Sequence, residues 1–395
     1  MSSNNIMQNP SVVLYGQQNA KIEDIPVPEV IDPHDVIVRI NYVGVCGSDV
    51  RLPFFPFTRT VLIIQPHQPT NQTQVHFWHH GGIGKMINPS TGIVMGHEAS
   101  GTIHSIGPSV KSVKRGDRVA IEPGIPCRIC KACKSGVYNM CRDIRFAAAP
   151  GPPDTQGTLS KYFRSAEDFV YKIPDNMGLD EAVLVEPLAV AVHAVKLADV
   201  KPGETVVVMG SGTIGLFCAA VARQFGAHRI IIVDILEKKL EFAASYLKCE
   251  TFRSSTDASP EDSAEALLEK FDLVEFGIDT TGGLVDTVIE ASGATTSIDM
   301  GINIVRPGGK YVQTGLGKPK IDFPVVAMGQ KELMVRGCFR YGAGDYELAV
   351  GFLEKGLIDV KPLISSVTEF EKATEAWEKT SRGEGIKNLI QGVQD

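Results

Sequence analysis

The sequence predicts an α/β protein in which a doubly wound parallel sheet is joined to a β-rich domain. From Lys201 onward, short apolar segments alternate with segments of helical periodicity, which is typical of parallel strands connected by helices. Before Lys201, short strand-like segments are separated by turn residues, which indicates the β-rich domain. At 395 residues the chain exceeds the size that one hydrophobic core usually supports, so we expect two domains.

The predicted elements follow in chain order. The strands of the first part are Val36 to Ile40, Gly101 to Ile103 and Arg118 to Ile121. The strands of the second part are Thr205 to Met209, Ile230 to Val233, Val285 to Ile289 and Lys310 to Val312, with helices at Ile214 to Phe225 and Ala264 to Phe271. From about Gly337 the chain returns to mixed structure, with an amphipathic helix at Tyr346 to Lys355.

The net charge, the amino-terminal sequence and the length of the apolar runs argue against several classes of protein. The formal net charge is −7 and no block of Lys and Arg is present, which argues against nucleic acid or an anionic membrane as partner. The amino terminus lacks the basic and apolar regions of a secretory signal, and no apolar run reaches the roughly 18 residues of a membrane span. We therefore expect a cytoplasmic protein.

A glycine-rich loop follows the first predicted strand of the parallel sheet. Gly210, Gly212 and Gly215 lie between a predicted strand and a predicted helix, and Asp234 lies nineteen residues beyond Gly215. Glycines permit a tight turn and close approach of a pyrophosphate, whose charge the first helix amides meet. The Asp234 carboxylate would accept from ribose hydroxyls and repel a 2′-phosphate, so the loop predicts a Rossmann domain that binds NAD rather than NADP. The other candidate cofactor-binding residues are Thr213, Ile214 and Lys239, although a solvated helix face explains Lys239 equally well.

Four of the eight cysteines lie within fifteen residues. They are Cys127, Cys130, Cys133 and Cys141. Four thiolates on one short excursion of chain suit a tetrahedral zinc, and a closed site of this kind leaves no position for substrate. Buried free cysteines are a poor alternative, because lysine and arginine residues stand between them. We therefore predict a structural zinc.

A second metal site, with an open position for chemistry, is predicted from scattered residues. Cys46, His97 and either Glu98 or Glu186 could supply the three protein ligands of a catalytic zinc. Taken singly, each has an ordinary explanation, such as a buried cysteine, a satisfied histidine or a helix cap at Glu98. Their occurrence beside a dinucleotide loop and a four-cysteine lobe favours the metal site. The choice between the two glutamates stays open.

Several longer motifs accompany these residues. They are Gly96-His97-Glu98 with Gly101 and Gly107, the four-cysteine lobe, the Gly210 loop, Cys46-Gly47-Ser48-Asp49, Val75 to Gly81, Glu122-Pro123-Gly124, Val185 to Leu188 and Phe339-Arg340-Tyr341. Together they resemble the zinc-dependent medium-chain dehydrogenases, and within that family the polyol branch of sorbitol and xylitol dehydrogenases, with fungal-type xylitol dehydrogenases the most similar. The resemblance covers nearly the whole chain.

The resemblance implies an architecture and partners. A GroES-like catalytic domain would be formed by residues 1–187 and 337–395, with the structural zinc lobe at about 124–142, around a Rossmann domain at 188–336. A homo-oligomer, either a dimer or a tetramer, and a small-molecule polyol substrate are also implied.

The resemblance further implies residue roles. Cys46, His97 and Glu98 would hold the catalytic zinc, and Glu186 would lie beside its open position. Ser48 would hydrogen-bond the reacting hydroxyl, and His76 is a candidate for passing its proton outward. The residues that would line the polyol pocket are Phe77, Phe146, Glu186, Arg340 and Tyr341.

The activity implied is oxidation of a polyol to a ketose, with hydride transfer to NAD and zinc as the Lewis acid. Xylitol to D-xylulose is the first expectation, and sorbitol and L-arabinitol are alternatives. Reduction of a quinone or aldehyde without metal does not account for the metal-ligand residues.

One segment departs from the family pattern. Twenty-five residues, Val50 to Gln74, are surplus between the Cys46 motif and the His76 motif, and they carry an apolar run at Val61 to Ile64. Our hypothesis is that this segment is a translated intron, because its possible codons include donor, branch and acceptor signals; a natural lid or oligomer contact is the rival. Because the segment separates Ser48 from His76, a catalytically impaired nucleotide-binding isoform is an alternative function. A smaller extension, Glu275 to Leu284, is expected to be a surface loop.

The intron hypothesis predicts that most mature transcripts lack the codons for Val50 to Gln74. Long-read sequencing of the mRNA measures this directly, and tryptic peptides of the native protein report whether the segment is translated. Transcripts that mostly retain these codons, together with peptides from the segment, would show that it is a natural part of the protein.

Overall fold

The computed structural model describes residues 8–46, 74–83, 85–151, 154–273 and 284–394, with the backbone alone at 74–76 and 83. Ser48 and residues 50–73 of the surplus segment lie outside the described residues. The expectation for Glu275 to Leu284 likewise falls outside them, apart from Leu284 itself.

The first part of the chain is rich in strands. These are β1 (Pro10–Leu14), β2 (Ala20–Asp24), β3 (Asp35–Gly44), β4 (Gly82–Ile83), β5 (Lys85–Met86), β6 (Ile93–Val94), β7 (Glu98–Ile106), β8 (Arg118–Ile121), β9 (Gly124–Ile125), β10 (Arg145–Phe146), β11 (Tyr162–Ala166) and β12 (Val170–Lys172). The helices are α1 (Gln74–His80), α2 (Lys131–Lys134) and α3 (Leu179–Ala182), with short 3-10 turns at Tyr138–Met140 and Glu167–Phe169.

The middle of the chain alternates helix and strand. Its elements are α4 (Val185–Ala198), β13 (Thr205–Met209), α5 (Thr213–Gln224), β14 (Arg229–Asp234), α6 (Glu237–Leu247), β15 (Glu250–Arg253), α7 (Pro260–Lys270), β16 (Thr287–Glu290), α8 (Thr295–Ile304), β17 (Lys310–Gln313), α9 (Val325–Gln330) and β18 (Met334–Gly337).

The last part is mixed. It contains α10 (Asp345–Glu354), β19 (Ile364–Thr368), α11 (Ala373–Ser381) and β20 (Lys387–Gln391), with 3-10 turns at Lys361–Leu363 and Phe370–Lys372.

Two compact units divide the chain, namely Met1–Glu186 with Gly342–Asp395, and Pro187–Tyr341. In the first unit the main sheet has the order β12-β8-β7-β3-β20-β19, with β11 also paired to β3. All these pairs are antiparallel except β19 with β20. A strand from the end of the chain is therefore hydrogen-bonded to one from its beginning.

The register of this sheet brings the end of β3, the start of β7 and the middle of β20 together. Gly44, the last residue of β3, is opposite Glu98 at the start of β7 and Leu389 of β20. Glycine is required at this position, because a Cβ on residue 44 would collide with the Glu98 carboxylate. A small volume at the edge of the sheet thus receives side chains from β7 and β20.

The second unit contains a six-stranded sheet that is parallel throughout, in the order β15-β14-β13-β16-β17-β18. Apolar residues of its strands and of α7 and α8 form one buried cluster. The predicted doubly wound parallel sheet is confirmed. Strand order runs outward in both directions from β13 and β16, and dinucleotides bind at such a switch point in parallel sheets.

None of the helices in the described part of the chain has both the length and the apolar character that crossing a membrane requires.

Candidate functional site

Cys46, His97 and Glu98 come together in the first unit. One possible ligand atom from each lies within 4.8 Å of the others, and the side chains of His97 and Glu98 are buried. A soft thiolate, an imidazole and a carboxylate match the ligand types of a catalytic zinc with an open fourth position. The donor set therefore fits that ion.

The local backbone explains why these residues meet. Cys46 follows the end of β3 by two residues, and His97 immediately precedes β7. Gly96 has φ +98°, a conformation that favours glycine, and a Cβ there would lie 2.8 Å from Thr158 Oγ1. The turn at Gly96 consequently directs His97 and Glu98 toward the end of β3. Glu98 lies in a strand, so it is not a helix cap.

Lys387 is the partner of Glu98. Its Nζ donates to both carboxylate oxygens, at 2.9 and 2.8 Å, and to the Val45 carbonyl at 3.2 Å. The side chains of Lys387 and Glu98 are 3% and 1% exposed. A buried carboxylate and a buried ammonium each require the other, since an unpaired charge is costly to bury.

Other negative groups surround the ammonium of Lys387. Burial acts to lower its pKa, but Glu98, the Cys46 thiolate and Glu186 together raise the pKa above the usual value for lysine. Glu186 is itself buried, in the first turn of α4. The zinc-ligand candidates and Glu186 thus share one negatively charged environment that Lys387 partly neutralises.

The aromatic residues of the first unit differ in their positions. Phe146 contacts the His97 ring, with 5.7 Å between centroids, so it lies beside the candidate metal ligands. Phe77 has no exposed surface and belongs to the same buried apolar cluster as Trp78 and Trp377. Its place in the polyol pocket stays a prediction.

The remaining sequence-predicted substrate and proton-transfer residues lie outside the described side chains or in the second unit. Ser48 lies outside the described residues, and only the backbone of His76 is described, in α1. Arg340 and Tyr341 belong to the second unit, where both are buried and the Arg340 guanidinium lies over the Phe339 ring.

The four lobe cysteines form a second cluster. Their Sγ atoms all lie within 4.8 Å of one another. The Cys130 and Cys133 sulfurs are 3.4 Å apart and the Cys127 and Cys133 sulfurs 3.9 Å apart. Four thiolates at about 2.3 Å from zinc place their sulfurs about 3.8 Å apart, so this cluster fits a tetrahedral ion.

Backbone N–H groups support the lobe sulfurs. The Cys130 N–H donates to Cys127 Sγ at 3.4 Å, and the Cys127 N–H donates to Cys141 Sγ at 3.4 Å. The N–H groups of Ile129 and Cys130 lower the pKa of the Cys127 thiol. Such hydrogen bonds favour the thiolate that a zinc ion binds.

The glycine-rich loop fits a pyrophosphate. Gly210 has φ +101°, and a Cβ on Gly215 would collide with the Gly210 carbonyl, so helix α5 starts tightly against the loop. Among the described residues, apart from Gly212 itself and its two chain neighbours, no atom lies within 4 Å of the position that a Cβ on Gly212 would occupy. Gly212, Thr213 and Ile214 form the start of α5, where an anion meets unpaired amides.

Asp234 ends β14 beside this loop. Its Oδ2 accepts from the Ser211 N–H at 2.9 Å and from the Ser211 hydroxyl at 2.7 Å, and its Oδ1 accepts from the Leu236 N–H. The carboxylate is therefore fixed in orientation by the loop itself. Lys239 follows in α6 and is half-buried.

Sequence reasoning missed Lys387. The local signal is a lysine in the short segment Ile386-Lys387-Asn388-Leu389-Ile390, whose three apolar residues favour a buried strand in which a charged residue needs a partner. The sequence does not identify that partner, which is 289 residues away.

Replacing Lys387 is expected to destabilise the protein. K387M leaves the Glu98 carboxylate buried without its partner, which should lower the free energy of unfolding by about 3 kcal/mol. Urea unfolding of chelator-treated protein measures this without a metal to compensate Glu98. K372M is the matched control, since Lys372 pairs with Glu369 at 2.8 Å on the surface, and it should change little. Equal midpoints for K387M and K372M would contradict a buried pair.

Comparison with known proteins places these features in one family. Residues 32–175 match the family model described as "Alcohol dehydrogenase GroES-like domain", and residues 213–355 match "Zinc-binding dehydrogenase". "Probable D-xylulose reductase A" of Aspergillus clavatus is 46% identical over 394 residues, which cover 100% of this chain and 99% of that protein. "D-xylulose reductase A" of Aspergillus oryzae is 46% identical over 98% of this chain and 97% of that protein.

Solved structures agree on the fold. An Escherichia coli oxidoreductase/dehydrogenase of unknown specificity has a TM-score of 0.82 at 29% identity, covering 98% of this chain and 100% of that one. L-idonate 5-dehydrogenase of Escherichia coli has a TM-score of 0.80 at 24% identity, with 98% of each chain covered. The sequence relatives span this chain from end to end, and both halves match the corresponding domain models. The chain therefore belongs to the zinc-binding medium-chain dehydrogenases that carry an alcohol dehydrogenase GroES-like domain.

Proposed function

We propose that this protein oxidises a polyol at a secondary alcohol to the ketose, with NAD as hydride acceptor, and that xylitol and D-xylulose are its substrate and product. The observation that carries the proposal is the 46% identity, over the whole chain, to a protein named as a probable D-xylulose reductase. The juxtaposition of Cys46, His97 and Glu98 supplies the site that such chemistry requires. Sorbitol and L-arabinitol are the alternative substrates.

In this proposal Cys46, His97 and a glutamate hold the catalytic zinc. Glu98 is adjacent to the other two ligand candidates and gives both carboxylate oxygens to Lys387, and Glu186 is close enough for its charge to act on Lys387. When bound, zinc acts as a Lewis acid on the alcohol oxygen and NAD takes up the hydride. The alcohol proton leaves to solvent, and Ser48 and His76 are the proposed relay residues.

The protein's own residues have positioning roles. The buried Glu98–Lys387 pair fixes one ligand direction, and Phe146 packs on the His97 ring and orients it. Arg340 and Tyr341 are proposed as polyol-binding residues, because a guanidinium and a phenol hydroxyl suit a polyhydroxylated substrate better than an aliphatic alcohol. Four of the cysteines, whose Sγ atoms lie within 4.8 Å of one another, would hold a second, structural zinc in the lobe.

The cofactor preference follows from the glycine-rich loop. Gly210, Gly212 and Gly215 leave room for the pyrophosphate, and the Asp234 carboxylate is presented beside them. A 2′-phosphate would be repelled by this carboxylate, so NAD is the proposed cofactor.

The activity is tested with the full-length protein in zinc-containing buffer. Xylitol with NAD should produce NADH absorbance, at a higher kcat/KM than sorbitol or L-arabinitol, and chelation of zinc should abolish it. Turnover restricted to another polyol would move the substrate assignment to that polyol. No turnover of any pentitol or hexitol would contradict the proposal for this chain, and restored turnover on deleting residues 50–74 would favour the impaired isoform.

Replacing Asp234 should change the cofactor preference. D234A removes the ribose acceptor and the charge that repels a 2′-phosphate, so kcat/KM with NAD should fall about tenfold while that with NADP rises. E237A, a nearby exposed carboxylate on α6, is the control and should leave the preference unchanged. An unaltered NAD to NADP ratio in D234A would remove Asp234 from the cofactor site.

We also propose that the protein is a homo-oligomer. Strand β18 forms one edge of the parallel sheet, and the apolar side chains of Met334 and Val335 are exposed on it, close in sequence to exposed Val325 and Val326 on α9. Exposed apolar edge strands pair readily with a second copy. Light scattering should give a mass of two or four chains, and V335K should reduce it. L357K, at an exposed leucine of the first unit, should not. A monomeric mass for the unaltered protein would contradict the proposal.

A further inference from the structure

Glu122 is a buried carboxyl group outside both metal-ligand clusters. It follows β8 directly, its residue is 1% exposed, and the chemistry proposed above gives it no role. Two tyrosine hydroxyls contact it: Tyr138 Oη lies 2.6 Å from Oε1, and Tyr171 Oη lies 2.7 Å from Oε2. Tyr138 belongs to the zinc lobe, three residues before Cys141, while Tyr171 belongs to β12.

The Tyr138 hydroxyl has a second possible acceptor. Its oxygen is 3.3 Å from the Gly342 carbonyl oxygen, as well as 2.6 Å from Glu122. One hydroxyl hydrogen cannot serve both acceptors at full strength. When Glu122 is ionised it can only accept, so the Tyr138 hydrogen is drawn to the carboxylate. When Glu122 is neutral, its own O–H can donate to Tyr138 Oη, and the Tyr138 hydrogen is then available to Gly342.

We propose that Glu122 is a proton-controlled positioning residue: in its neutral form it directs the Tyr138 hydroxyl to Gly342 and fastens the zinc lobe to the start of the last chain segment, and ionisation releases that bond. A proton is exchanged with solvent and no other atom is transferred.

The surroundings of Glu122 favour the neutral form. Burial, the largest cause, together with the negative charges of Glu347 and Asp168, outweighs the two tyrosine hydrogen bonds and raises the pKa of Glu122 to about 8. Glu347 comes from α10, and Asp168, in the turn before β12, is paired with Arg128 of the lobe at 2.6 Å. The pKa values of Tyr138 and Tyr171 are raised by the same burial and by Glu122, so both phenols keep their protons.

Another hydrogen bond between the segment that begins at Gly342 and the zinc lobe is a long one. The Ala343 N–H donates to the Gly136 carbonyl at 3.4 Å, which is long for a hydrogen bond. The Gly342 N–H donates to Asp345 within the same segment, and Tyr346 donates to the Ile121 carbonyl while stacking on Tyr171. Loss of the Tyr138 bond should therefore loosen this segment locally while Tyr346 holds α10 in place.

The direction of the pH effect follows from the sign of the shift. The pKa of Glu122 is raised in the folded protein, so the folded state binds more protons than the unfolded state between about pH 4.5 and about pH 8. The contribution of Glu122 to stability is therefore present at low pH and is lost as the pH rises through about 8.

Hydrogen–deuterium exchange of the peptides that cover residues 340–348 tests the proposal in the zinc-loaded full chain. Variants are compared at one pH at a time, because chemical exchange itself accelerates with pH. E122Q mimics the neutral acid, since its amide donates to one tyrosine and accepts from the other. At pH 6.5 the exchange rate of E122Q should equal that of the unaltered protein. At pH 9 the unaltered protein should exchange about fivefold faster than E122Q, which is the factor expected for one lost hydrogen bond.

Two tyrosine variants locate the effect. In Y138F these peptides should exchange faster than in the unaltered protein at pH 6.5, and equally fast at pH 9. The double variant Y138F/E122Q should exchange at the same rate as Y138F. Y171F removes the other hydroxyl and should keep the pH-dependent difference. Equal exchange rates of E122Q and the unaltered protein at both pH values would overturn the proposal. If E122Q does not fold, the proposal is overturned when Y138F and the unaltered protein exchange at the same rate at pH 6.5.

A kinetic measurement extends the test to the substrate residues, and this arm rests on the proposed function. Gly342 directly follows Arg340 and Tyr341 in the chain. When the pH is raised above 8, the factor by which the KM for xylitol increases should be about three times larger in the unaltered protein than in E122Q. The change in kcat should be the same in both proteins. Failure of polyol turnover would remove this arm alone, because the exchange measurement needs no substrate.

Discussion

The ion pair between Glu98 and Lys387 is the constraint on which the first unit depends. Both side chains are almost fully buried, so neither charge is tolerable without the other. The pair joins the start of β7 to the start of β20 and therefore fixes how the two ends of the chain meet. Gly44 leaves the space that the carboxylate fills. Cys46, two residues after the end of β3, and His97, directly before β7, are positioned as a consequence.

The two candidate metal-ligand clusters of the first unit suit different roles, one structural and one catalytic. The lobe cysteines form a closed set of four sulfurs, which stabilises a short loop that has little core of its own. The Cys46, His97 and Glu98 set offers three ligand atoms, which would leave the fourth position of a bound zinc for substrate, and it lies among buried charges, where electrostatic effects are strong. Glu122 and its tyrosines connect the lobe to β12 and to residue 342, so the lobe is integrated with the rest of the unit rather than appended to it.

The features that sequence predicted best have local causes. Apolar strands such as Thr205–Met209 and Arg118–Ile121 have the predicted bounds, because burial on both faces leaves a continuous apolar run. The glycine-rich loop and the cysteine lobe were recognisable because their chemistry lies within a few consecutive residues. Lys387 and Glu122 were not, because their significance depends on partners brought close only by folding. The Phe77 ring belongs to the buried apolar cluster, and its place in a polyol pocket stays a prediction.

The measurement that most directly tests the account is anomalous X-ray diffraction at the zinc edge from crystals of the zinc-loaded protein. The account predicts one peak among the four lobe sulfurs and another bounded by Cys46, His97 and a glutamate, with Lys387 still paired to Glu98 on the buried side. Zinc in the lobe alone, with Cys46 and His97 turned away from each other, would contradict it.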